Sequence, residues 1–195
     1  MLNPNKIEPD CFIGFKRKYS PKNYEKDCDY TVRECLREAL LKEQRGQCFY
    51  CEQKIKSSRI DHFIPRDAPK EKDIECNYNN LFLSCDRKES CDIKKGSTFD
   101  ESRYIRLFSN RYDVENPSDF FDFTARGTIK AKKILSDDKK IRAKNTIELL
   151  NLNNNDLVNA RQVIISNIEI YKTYGYDIDE IFTFFNEFES LFKGN

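Results

Sequence analysis

Between Cys48 and Gly96 four short strings carry most of the chemistry of this chain: Cys48-Phe49-Tyr50-Cys51, Ile60-Asp61-His62-Phe63-Ile64-Pro65, Asn80-Leu81-Phe82-Leu83-Ser84-Cys85 and Cys91-Asp92-Ile93-Lys94-Lys95-Gly96. The first is a C-x2-C knuckle, a tight turn that lets two thiolates reach one tetrahedral ion at about 2.3 Å from each sulfur. One such pair is weak evidence. Cys85 and Cys91 supply a second pair spaced C-x5-C, and Asp86 to Ser90 between them can bring the two sulfurs together by bulging outward. Four thiolates make a closed structural site, with zinc as the expected ion and Cys76 as the substitute ligand. The competing reading is four buried, metal-free cysteines behaving as small apolar side chains. Their paired clustering around a compact polar insertion argues for metal.

His62 is the only histidine in the chain. Hydrolysis of a phosphodiester at neutral pH needs a base to activate water, a cation to meet developing negative charge, and oxygen ligands to hold that cation. A neutral imidazole suits the first task, and an adjacent carboxylate is a hard oxygen ligand of the kind Mg²⁺ prefers. A lone histidine is more often an ordinary surface or core residue, and Asp-His alone proves nothing. The weight comes from Asn80-Leu81, Cys85 and Cys91-Asp92 following it in register.

With those strings together, Cys48 to Gly96 resembles the zinc-stapled HNH nucleases, whose plan runs C-x2-C, Asp-His-x-x-Pro, Asn-Leu five residues before a cysteine, then C-(His/Asn)-x-x-Lys. The resemblance implies a ββα-metal module in which Asp61 is a ligand of a catalytic Mg²⁺ or Mn²⁺, His62 is the general base, and Asn80 braces the loop that orients His62. The third signature position falls on Asp92, where the family more often has His or Asn; an aspartate there still ligates a divalent cation. Water attack on the phosphate would leave 3′-hydroxyl and 5′-phosphate ends. Further strings, namely the helix Leu36 to Gln47, Asn77-Tyr78-Asn79-Asn80, Arg126-Gly127-Thr128-Ile129 and Asn145 to Asn153, look like the PtuB-type subfamily of the Septu and retron anti-phage systems. That similarity implies an ABC/SMC-like ATPase of the PtuA type as partner and phage DNA as substrate. Two alternatives stay open: an RNA endonuclease acting on tRNA, and a non-catalytic zinc-stapled adaptor of an ATPase.

The whole chain has 195 residues, 34 Lys and Arg against 33 Asp and Glu, and a formal charge of +1. Such a balance does not bind nucleic acid by bulk charge, so any such contact must be local. No uninterrupted apolar run reaches the roughly 18 residues of a membrane span, and the first residues lack a basic segment followed by an apolar one. A cytoplasmic protein is the expectation, and in a reducing compartment clustered cysteines hold metal more often than they form disulfides.

The expected fold class is α+β. Residues 1–28 mix Pro4, Pro9, Gly14 and Pro21 with polar residues and read as an irregular arm. Residues 29–99 form the nuclease module, entered by a helix from Asp29 or Thr31 that Gly46 can stop. Residues 100–195 are mainly helical with one hairpin, in which Phe120 to Thr124 and Thr128 to Lys132 flank Ala125-Arg126-Gly127. Helices are expected at about 138–150, 155–173 and 177–192, with a cap among Asn153, Asn154 and Asn155.

Counting from Arg45 to Phe99 gives eleven basic and nine acidic residues, so the module itself is nearly neutral. Residues 126–144 differ, because Arg126, Lys130, Lys132, Lys133, Lys139, Lys140, Arg142 and Lys144 outnumber Asp137 and Asp138. They form the candidate phosphate-tracking surface, against the bland alternative of a solvated face. The last helix carries Ile178, Ile181, Phe182, Phe185 and Phe192 on one stripe and Phe184, Phe188 and Leu191 on another. Such a helix is either enclosed by its own domain or docked on a partner.

Overall fold

A computed structural model describes residues 1–68, 74–109 and 112–193. Two small antiparallel sheets sit among eight helices of the described residues. The first sheet pairs β1 (Ser58–His62) with β2 (Leu81–Cys85), placing Asp61 opposite Phe82 and His62 opposite Leu81. Both faces of β2 are buried, which its composition dictates: Leu81 and Leu83 point one way, Phe82 and Ser84 the other. On the leucine side lies α3 (Tyr30–Glu43), which buries Val32, Leu36 and Leu40 at helical spacing. On the other side lies the short α4 (Cys91–Lys95).

Helix α3 begins where the sequence places it, since Asp29 accepts a hydrogen bond from the Val32 amide as its N-cap. It stops at Glu43, earlier than Gln47, in a left-handed turn at Arg45 (φ 51°) and Gly46 (φ 73°). Gln44, released from the helix, then ties that turn to the sheet: its Nε2 donates to the carbonyls of Gln47 and Leu83, and its Oε1 accepts from the Leu83 amide.

The expected irregular arm is corrected by two helices, α1 (Asp10–Tyr19) and α2 (Tyr24–Asp27). Local signals there are poor, with Pro9 at the start and Gly14 inside. A ten-residue helix is marginal on its own; tertiary contact supplies what propensity lacks. Phe12 is completely buried with Leu36 and Leu40 of α3, and a disulfide joins Cys11 to Cys35 across the same contact, with Cα atoms 6.7 Å apart.

The hairpin forms as expected, as β3 (Phe121–Phe123) and β4 (Ile129–Ala131). Gly127 turns it at φ 77°, and an added Cβ would strike the α6 backbone at Val158 and Gln162. Helices α5 (Asp137–Leu149) and α6 (Asn155–Thr173) follow, with Asn154 as the cap between them. The single last helix expected over 177–192 is instead two, α7 (Ile178–Phe185) and α8 (Glu189–Lys193). Asn186 and Phe188 take left-handed backbone between them, so that the Phe188 amide reaches the Glu52 carbonyl at 2.7 Å and the ring is buried. Both apolar stripes are largely accounted for by this packing, with Ile181, Phe188, Leu191 and Phe192 enclosed against Ile164 and Ile168 of α6; Phe184 stays exposed. No described helix is long and apolar enough to cross a membrane.

Candidate metal centre and carboxylate site

Cys48, Cys51, Cys85 and Cys91 are all buried, and their sulfurs lie within 4.8 Å of one another. The Cys48–Cys91 and Cys51–Cys85 sulfur separations are 3.8 Å and 3.9 Å. A tetrahedron of thiolates at about 2.3 Å from a central zinc has sulfur–sulfur edges of about 3.8 Å, so the donor set fits a closed structural zinc site. Cys76, the substitute ligand, is not in the cluster; it lies beside Cys28 instead. The long second spacing is absorbed by the loop 86–90 and by Cys91 itself, which has φ 59° and donates its amide to the Leu150 carbonyl at 3.0 Å. Left-handed backbone at a non-glycine residue is disfavoured, and here a distant carbonyl and the first turn of α4 hold it. The Cys85 amide also points at the Cys48 sulfur, 3.3 Å away.

Beside this centre, β1 and α4 bring Asp61 and Asp92 together. Asp61 Oδ2 accepts from the Tyr50 hydroxyl and from Lys95 Nζ, the latter at 2.7 Å. The Asp92 carboxyl is within hydrogen-bonding reach of Asp61, and Arg59 Nε approaches its Oδ2 at 3.2 Å. Burial, and then the neighbouring Asp61 charge, push the Asp92 carboxyl up to about 7. Two carboxylates that close are oxygen donors of the kind a hard divalent ion takes, while the four cysteines are the group of metal-donor side chains that the described residues bring together.

His62 is the next residue along β1 and is almost fully buried. Its Nε2 lies 2.9 Å from the Glu75 carbonyl oxygen. A carbonyl can only accept, so Nε2 carries the proton and Nδ1 of the neutral ring keeps its lone pair. Burial lowers the imidazole below its usual range. The edge of Tyr24 packs on the ring with centroids 4.9 Å apart, and the Tyr24 amide donates to Glu75 Oε2 at 2.9 Å. Asn80 does not touch His62. Completely buried, it accepts from the Ile64 amide at 2.8 Å and donates to the carbonyls of Ile64 and Ile74, tying the chain two residues after His62 to the residue before Glu75.

Tyr24, Tyr50, Glu75 and Lys95 were not singled out as site residues from the sequence. Lys95 alone had a signal, as the lysine that ends the C-(His/Asn)-x-x-Lys string. Tyr24 had none, because it belongs to the segment read as irregular.

The eight basic candidates of residues 126–144 divide in the structure. Arg142 is buried and forms a bidentate pair with Glu115, at 2.5 Å and 2.8 Å, plus a 3.2 Å contact with Asp138; it belongs to the core and is removed from the phosphate-tracking set. Lys139 leans towards the Phe120 ring beside Arg142. Lys130, Lys132, Lys133, Lys140 and Lys144 line one cleft of about 460 Å³ between β4 and α5, and Arg126 is exposed at the hairpin turn outside it.

No protein-family model matches this chain, and no curated protein matches it either.

Proposed function

We propose that this chain is a metal-dependent endonuclease of the HNH type, hydrolysing phosphodiester bonds. The observation that carries the reading is the His62 tautomer: a buried imidazole whose Nε2 proton is held by the Glu75 carbonyl keeps its Nδ1 lone pair, on the strand residue that follows Asp61. The β1–β2 hairpin, followed by α4 and stapled by four cysteines, supports the ββα-metal assignment. His62 takes the proton of the attacking water at Nδ1; Glu75 and Tyr24 keep the ring from rotating; Asn80 fixes the loops that carry them. Asp61 and Asp92 would hold Mg²⁺ or Mn²⁺, which when bound supplies Lewis-acid stabilisation of negative charge on the phosphate and leaving oxygen. Tyr50 and Lys95 set the orientation of Asp61.

The subfamily reading goes with it. PtuB-type nucleases work with an ABC/SMC-like ATPase in anti-phage defence, and a nearly neutral catalytic module that depends on a partner for activity fits that scheme. Phage DNA is the proposed substrate. A second reading, a non-catalytic zinc-stapled adaptor, has one observation in its favour: the Lys95 ammonium already neutralises Asp61 without any metal.

The two separate on His62→Ala. The endonuclease reading expects cleavage of a nucleic acid that the protein or its ATPase complex cuts to fall by at least ~10²-fold, the low end of what general-base catalysis contributes. Zinc content and thermal stability should stay near wild type. Wild-type cleavage in the variant would end the mechanism, and a large loss of stability would make His62 structural.

A further inference from the structure

The cleft between β4 and α5 is walled by lysines with little counter-charge beside them. Lys132 and Lys133 follow β4, while Lys140 and Lys144 stand one turn apart on the facing side of α5. Lys140 has only a loose 3.7 Å contact with the fully exposed Asp137. Among the described residues Lys132, Lys133 and Lys144 have no ion pair, and Glu148 is the one acidic residue lining the cleft. Like charges gathered on two walls of an apolar-floored cleft, here Ile129 and Ile147, repel one another and focus a positive potential between them. An anion laid along the cleft relieves that repulsion.

The cleft is also held rigidly to the carboxylate site. Asn153 clamps β4 through both the amide and the carbonyl of Ile129, each at 2.9 Å. At the far end of α5 the Leu150 carbonyl accepts the Cys91 amide at 3.0 Å, and Asn151 Nδ2 donates to the Glu89 carbonyl at 2.7 Å. Cys91 is a cluster cysteine and Asp92 is the next residue. At 1.5 Å of rise per residue, about 9 Å of helix separates Lys144 from that junction, the length of a few nucleotides.

We propose that this lysine-lined cleft is the substrate track of the nuclease site, holding the sugar–phosphate backbone of nucleic acid without reading its sequence. The cleft has no aromatic side chain on which a base could stack, so phosphate charge is what it recognises. The proposal rests on the hydrolase reading for the word substrate, and the test is chosen to keep the two apart.

Lys133→Gln, Lys140→Gln and Lys144→Gln are combined in the full chain and compared with a control in which Lys18, Lys26 and Lys42, exposed on or next to the N-terminal helices, are changed to Gln. Binding of fluorescently labelled DNA and RNA oligonucleotides of one sequence is followed by anisotropy across a salt titration, with no Mg²⁺ or Mn²⁺ added and zinc content checked. Each neutralised phosphate contributes about 0.7 to 0.9 to the slope of log affinity against log salt, so loss of three contacts should lower the slope by about 2 to 3 in the cleft variant and leave the control unchanged. A slope drop with DNA alone, RNA alone or both supports the track and names its polymer. An unchanged slope in the cleft variant, an equal loss in the control, or no binding by the wild type at low salt would overturn it. If His62→Ala cleaves like wild type while the slope still drops, the cleft stands as a binding site and only the hydrolase reading fails.

Discussion

Lys95 is the residue on which the carboxylate site depends most. Its ammonium is fully buried and donates to Asp61 Oδ2 and the His62 carbonyl, both at 2.7 Å, and to the Phe63 carbonyl at 3.2 Å. Removing one partner of a buried ion pair leaves the other charge uncompensated, which typically costs about 3–5 kcal/mol. Lys95→Met should therefore lower the free energy of unfolding by about 3 kcal/mol in urea denaturation, far more than a surface lysine would. A change below about 0.5 kcal/mol would mean that water, not Lys95, satisfies Asp61 in solution. Residue identity made the four cysteines readable as one cluster, because thiolate ligation is tied to type and spacing. Tyr24 and Glu75 were not readable for a different reason. Glu75 acts on His62 through its backbone carbonyl, which every residue possesses, and Tyr24 arrives from a helix that only tertiary packing stabilises.

At the level of elements, the strongly patterned pieces declared themselves and the weakly patterned ones did not. α3, the hairpin, α5 and α6 lie within a few residues of where capping and periodicity put them, since each has its own stop and start signals. α1 and the α7–α8 break depend on partners far along the chain. For α1 that dependence can be measured through Cys11 and Cys35, separated by 24 residues. Closing a loop of that length removes chain entropy worth about 3 kcal/mol from the unfolded state. Cys11→Ser with Cys35→Ser should lower the thermal midpoint by roughly 6–12 °C under oxidising conditions, at about 2–4 °C per kcal/mol for a chain this size. With a thiol reductant present the variant and wild type should converge. A double variant as stable as wild type without reductant would show that the Phe12 contact alone fixes α1. Nothing in the spacing of Cys11 and Cys35 along the sequence announces their pairing, which the packing of α1 on α3 brings about.

For the molecule as a whole, the cysteine cluster is where the strands, α4 and the C-terminal helices meet, so metal and fold should be inseparable. Purified protein is expected to contain about one zinc per chain by elemental analysis, and a strong chelator should unfold it cooperatively, because the binding energy of a closed thiolate site is folding energy. Cys85→Ser should lose zinc and secondary structure together. Correctly folded protein without zinc would contradict this. The C-terminal elements bear on the same centre through Glu52, the residue after Cys51, whose carboxylate accepts from the Ser190 amide at 2.7 Å and the Ser190 hydroxyl at 2.6 Å, while its carbonyl accepts from Phe188. During synthesis on the ribosome all four thiols emerge well before Phe188 and Ser190 do. The metal knuckle can therefore close while Glu52 is still wet, and the α7–α8 corner arrives afterwards as a latch on a finished centre. A nascent chain stalled between these points would already hold its ion yet lack its latch, so ion uptake and final closure should separate in time by the interval needed to translate the hairpin and the helices that follow it.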